Sequence, residues 1–195
     1  MLSFFPCILV LLGLLQGSAT KPAAAGTKPA AVPITWSASR PLTVADFMGR
    51  PGPSERLAAL TTSDIKAGAA CRDFVFTGTV EATFDPNNSW VRNPATMSAK
   101  LLRHEQVHFD LTEVYARIMR QRMLVFQGKA NCAKLQPAFN NFTKAVYSEW
   151  DREQSRYDAE TNHGLNAAKQ DYWDKQTQVR LAQLQTFTAP VVAGK

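Results

Sequence analysis

The sequence has no internal repeat, no apolar run long enough to span a bilayer, and no basic stretch interleaved with aromatics. These absences argue against a solenoid, a membrane-spanning helix and a nucleic-acid groove. Histidine is scarce as well. The chain carries three in 195 residues, and cysteine occurs only three times. Any imidazole or thiol chemistry is therefore confined to a few identifiable positions.

The longest apolar run, residues 1–16, is too short for a membrane helix and is followed by Gly17-Ser18-Ala19, small residues suited to signal peptidase. Residues 1–19 read as a secretory signal peptide, although no Lys or Arg precedes the apolar run. Retention as an N-terminal anchor is the alternative. Once the signal is removed, Cys71 and Cys132 are the remaining thiols. In an oxidising compartment they most simply pair, closing a loop worth roughly 4 kcal/mol on the chain-entropy model; two separate buried thiols are the alternative. The expected location is periplasmic or extracellular. A net charge of +6 suits loose attraction to anionic cell-envelope polymers.

Residues 20–33 are Ala/Pro-rich without hydrophobic period and read as a disordered linker. A single domain is expected over 34–188, followed by a tail at 189–195. Alternating residues from Ile34, and over about 57–66 and 73–84, predict strands with one buried face. Asn93-Pro94 predicts a helix start. The apolar stripe Met97, Leu101, His104, His108, Leu111, Tyr115 and Ile118 then predicts a helix to about Phe126. Two further helical regions are expected, from about Ala138 to His163 and from Leu165 to about Gln185. The order, strands first and helices after, is that of an α+β domain.

Two of the three histidines fall in His104-Glu105-Gln106-Val107-His108, an H-E-x-x-H match. On a helix His104 and His108 stand one turn apart on one face with Glu105 beside them, the arrangement that offers zinc two imidazoles and its water a proton acceptor. Catalytic zinc usually takes three protein ligands. The spacing that would supply Gly and then His after the motif is absent, since Leu111 and Val114 stand there, and no methionine follows Met123. That excludes the metzincin pattern. The third ligand must come from elsewhere: His163 is the first choice and Glu160 the alternative, as ligand or as an outer partner. Asp110 is a weaker outer partner because it lies about 200° round the helix from His108. Tyr157 is expected to donate to an oxyanion or else to sit in the core.

The blocks ITWSASRPLTVADFMG, AALTTSDI, LLRHEQVHFDLTE and YDAETNHG together resemble the predicted secreted zinc-dependent proteases of bacteria, a family long catalogued as a domain of unknown function. The resemblance spans about residues 34–170. It implies a zincin-like fold, with a small, mostly antiparallel sheet packed on a long active-site helix and a sheet edge able to bind an extended peptide. The expected function is that of a secreted zinc metallopeptidase: Zn2+ on His104, His108 and His163, Glu105 as general base, and a peptide, protein or cell-wall peptide as substrate. The alternative is a zinc-stabilised, non-catalytic scaffold of the cell envelope.

Overall fold

A computed structural model describes residues 30–128 and 130–193. The expected signal peptide and most of the expected linker lie outside the described residues. In chain order the elements are β1 (Ile34–Thr35), β2 (Ala59–Leu60), β3 (Ser63–Arg72), β4 (Val75–Phe84), β5 (Trp90–Val91), α1 (Ala99–Gln127), α2 (Leu135–Thr161), α3 (Ala167–Gln183) and β6 (Val191–Ala193). The fold is α+β, with antiparallel strands on one side of three long helices.

The strands β3 and β4 form a ten-residue hairpin, from Ser63 opposite Phe84 to Arg72 opposite Val75. Along β4, Phe76, Val80, Ala82 and Phe84 are buried while Thr77 and Thr79 face outward, as the alternation predicts. The hairpin turn departs from the sequence expectation. Asp73 and Phe74, expected to be extended, occupy the left-handed region at φ 50° and 63°. A two-residue hairpin loop of type I′ takes positive φ at both positions, which matches the strand twist. The chain does so without glycine, so composition does not mark the turn. Strand β1 pairs with the far end of β4. The segment expected to be a free tail instead pairs β6 with Thr77–Thr79 of β4.

Helix α1 begins later than Asn93-Pro94 predicts. Pro94–Thr96 forms a separate 3-10 turn, and Ser98 caps the helix by accepting from the Leu101 N–H. At 29 residues α1 is about 43 Å long. Every residue from Phe109 to Arg117 is buried, because the sheet covers one side of the helix while α2 and α3 cover others. The core joins Ile65, Val80 and Phe84 of the sheet to Phe109, Met119 and Met123 of α1. Gly78 packs against Met123, whose side chain would have to shift to admit a Cβ there.

Two polar ties complete the frame. Buried Glu113 accepts from Arg117 Nε at 2.7 Å and Arg120 Nη1 at 2.9 Å. The two guanidiniums also donate to the carbonyls of Leu181, Val80 and Phe187, fastening the C-terminal segment to α1 and the sheet. At the far end, Cys71 and Cys132 form the expected disulfide, linking the hairpin to the α1–α2 connection. No described helix is long and apolar enough to cross a membrane.

Candidate metal centre

The α1 stripe carries His104 and His108 to the mouth of a cleft of about 320 Å³. One wall of the cleft is the segment 57–63, and the other is α2 with Trp150, Gln154 and Asp158. His104 is buried, 2 % exposed, and His108 is nearly so.

The outer nitrogen of each imidazole is fixed by an amide. Gln154 Oε1 lies 2.7 Å from His108 Nδ1, while its amide nitrogen donates to the His108 carbonyl and to Thr112 Oγ1. Gln170 Oε1 lies 3.1 Å from His104 Nδ1, and its amide nitrogen donates to Asp174. Because each amide nitrogen is committed to acceptors, each amide oxygen must accept, and both Nδ1 atoms carry the hydrogen. Both Nε2 lone pairs therefore point inward.

They converge on a carboxylate. Asp158 Oδ1 lies 3.1 Å from His104 Nε2 and 3.0 Å from His108 Nε2, and the two Nε2 atoms are 3.3 Å apart. Three acceptors facing one another repel unless a proton or a cation stands among them. Tetrahedral zinc with bonds of about 2.0–2.1 Å needs neighbouring ligand atoms roughly 3.3 Å apart. The observed spacings fit that edge, and two imidazoles with a carboxylate are a donor set zinc accepts. Charge follows the same geometry. When a proton rather than a cation stands among these atoms, the histidines donate to Asp158: burial would raise its carboxyl, but those hydrogen bonds and charges outweigh burial and hold the group well below the usual carboxylate range.

Glu105 is buried and lines the cleft, where the Thr61 hydroxyl donates to its Oε2 at 2.7 Å. His163 also lines the cleft but stands outside the three-atom cluster. Its Nδ1 is 3.3 Å from Asp158 Oδ1, and its side chain is 53 % exposed. The residue in the third position of the cluster is thus Asp158, with His163 at the rim. Helix α2 ends at Thr161, and Asn162, His163 and Gly164 all take positive φ. Counting a helical wheel through His163 therefore misplaces it. Gly164 is required there twice over: its φ is 81°, and an added Cβ would sit 3.0 Å from the His104 Cβ.

Glu160 does not reach the cluster. Two residues past Asp158 it faces the other side of α2, accepting from Trp173 Nε1 and Lys169. The Tyr157 hydroxyl is also turned away from the cleft, 2.9 Å from Gln170 Oε1 and 3.2 Å from the His104 carbonyl oxygen. Tyr157 is fully buried with its ring stacked on His104. It is a packing and orienting residue, because no surface of its hydroxyl opens to substrate. Burial first, and then nearby carboxylates, raise its phenol pKa. Asp110 accepts from Trp36, Gln106 and Gln178 and touches neither histidine.

Sequence reasoning missed Asp158, Gln154, Gln170 and Thr61. For two of them a signal existed. Trp150, Gln154 and Asp158 recur every fourth residue beside the apolar stripe of α2, and polar residues at part-buried positions beside a core tend to have partners.

The chain is an α+β domain in which two histidines of a central helix and an aspartate of the next form a group that could hold a metal ion. The family model described as bacterial protein of unknown function (DUF922) matches residues 34–164, and the chain belongs to that family. The match ends on Gly164, so it encloses Glu105 and the whole His104, His108 and Asp158 cluster. Neither the curated proteins nor the solved structures contain a match to the chain.

Proposed function

We propose that the chain is an exported zinc-dependent hydrolase of peptide bonds, holding the metal on His104, His108 and Asp158 and using Glu105 as general base. The observation that carries this reading is the convergence of two inward Nε2 lone pairs and one carboxylate oxygen, with both outer nitrogens tied to amides. Second partners of this kind orient metal-binding imidazoles. A zinc ion supplies Lewis acidity toward a carbonyl oxygen and toward water.

The protein residues divide the remaining work. Glu105 accepts the proton of the attacking water and delivers it to the leaving amine. Thr61 fixes the Glu105 carboxylate through its hydroxyl and joins the base to the cleft wall. That wall is a strand edge. Arg92 N–H donates to the Ala58 carbonyl, and Ala59 stands opposite Val91. By the parity of antiparallel pairing, the peptide groups of Ala59 and Thr61 turn away from β5, toward the cleft, where an extended peptide adds as a further strand. The sheet edge beside the motif helix supports a zincin-like arrangement. The Cys71–Cys132 disulfide supports an oxidising compartment, and the net charge suits a cell-envelope substrate.

The test is Glu105→Gln. Zinc content should stay near one per chain, while cleavage of unfolded protein or cell-wall peptide falls by at least about 100-fold. Wild-type protein that binds zinc and cleaves neither substrate refutes the hydrolase and leaves a zinc-stabilised scaffold.

A further inference from the structure

We infer that Asp151 selects a basic side chain in the substrate, about three residues from the bond that is cut. The inference rests on the hydrolase reading and adds a recognition element to the same cleft.

The wall of the cleft carries three acidic side chains, Glu105, Asp151 and Asp158, and no Lys or Arg, although the chain as a whole has a net charge of +6. Two of the three acids are engaged, Glu105 by Thr61 and Asp158 by the histidines. Asp151 is not. Its state stands out against the other acids of α2. Glu149 pairs with Arg122, Glu153 with Arg156 and Arg180, and Glu160 with Lys169. Among the described residues Asp151 alone of the α2 acids has no hydrogen-bonded or ionic side-chain partner, and it is exposed at the cleft.

Position gives the register. Asp151 and Asp158 are seven residues apart, hence on one face of α2 and about 10.5 Å apart along its axis. For an extended peptide lying along α2, at roughly 3.3 Å per residue, that distance spans about three substrate residues. The aliphatic part of a substrate Lys or Arg would lie along Trp150 and Leu60 while its charge meets Asp151. Lys144, seven residues further back, lines the adjoining groove and marks where the acidic stretch ends.

The test uses full-length, zinc-loaded Glu105→Gln protein and ten-residue fluorescent peptides of one sequence, each with a single Lys or Glu moved through the positions. Binding is read by anisotropy. At one position the Lys peptide should bind about three- to fivefold more tightly than its Glu counterpart, the size of a partly exposed ion pair. The preference should vanish in Glu105→Gln/Asp151→Asn and reverse in Glu105→Gln/Asp151→Lys. Lys144→Ala in the same background should leave it unchanged and thereby exclude a diffuse surface effect. No binding, no preference, or a preference indifferent to Asp151 overturns the inference. Cleavage by the wild type at equal rates for Lys and Glu peptides also overturns it and leaves the hydrolase standing. An Asp151-dependent binding preference without wild-type cleavage upholds the recognition and refutes the hydrolase.

Discussion

Zinc should raise the melting temperature of the metal-free domain, and by more at pH 8 than at pH 6. Without metal, the meeting of Asp158 Oδ1 with two Nε2 lone pairs has to be relieved by a proton. Burial on its own would depress the His108 imidazolium. The hydrogen bond and charge of Asp158, helped by Glu105 and Gln154, outweigh it and raise the pKa. A raised histidine contributes stability fully present below its unfolded value of about 6.5 and lost as pH rises through the folded value. The depressed Asp158 contributes stability present above about pH 4 and lost only as pH falls far into acid. The metal-free site is thus most stable between about pH 4 and 6.5. Zinc must displace the proton, so its affinity grows with pH.

The magnitude follows from linkage. Free zinc at a thousand times its Kd adds about 4 kcal/mol. For a domain of this size that corresponds to roughly 8–16 °C. Each pH unit below the histidine pKa weakens binding about tenfold, or ~1.4 kcal/mol, which removes some 3–6 °C. The assay is thermal unfolding by circular dichroism with excess zinc or chelator at pH 6 and pH 8. Asp158→Asn should lose most of the zinc response, and His163→Ala should keep most of it. Equal shifts at both pH values refute the proton-displacement argument. A response lost in His163→Ala and kept in Asp158→Asn refutes Asp158 as the third ligand.

Three further outcomes test the frame around the site. Glu113→Ala leaves the buried guanidiniums of Arg117 and Arg120 without their carboxylate and should cost about 3–5 kcal/mol in urea unfolding; a loss below ~1 kcal/mol contradicts the network. Replacing both Cys71 and Cys132 by Ser opens a crosslink between residues 61 apart and should cost about 4 kcal/mol by the same measurement, with zinc stoichiometry unchanged. Gly164→Ala puts a Cβ 3.0 Å from the His104 Cβ at a φ of 81°; it should cost roughly 1–3 kcal/mol and weaken zinc binding, so unaltered zinc affinity in calorimetry counts against the close-packed turn.

What the sequence disclosed follows from where periodicity is physically expressed. The α1 stripe placed both histidines on one face, and the parity of β4 placed its buried face, because burial acts through those periods. The pairing of Cys71 with Cys132 was legible from compartment and count. The convergence of Asp158 on the two histidines was not, because an aspartate on a helix carries no motif and the left-handed turn at Asn162–Gly164 breaks the helical count to His163. The hairpin turn hid for a related reason: Asp73 and Phe74 adopt positive φ with no glycine to announce it. The last strand was hidden because three residues carry too little pattern to separate an edge strand from a tail.

The enclosed middle of α1 also dictates how the site comes apart. Amides from Phe109 to Arg117 are sheathed on every side, so they exchange with solvent only when the whole domain opens. His108 adjoins that stretch and His104 lies one turn before it. Asp158 comes from the last turn of α2, next to a tight reversal and an exposed rim. Local opening therefore starts on the aspartate side and leaves the two imidazoles in register on a helix that has not moved. On the proposed reading, a metal ion would leave through that side and return to a half-built site, with no need for the core to refold in between.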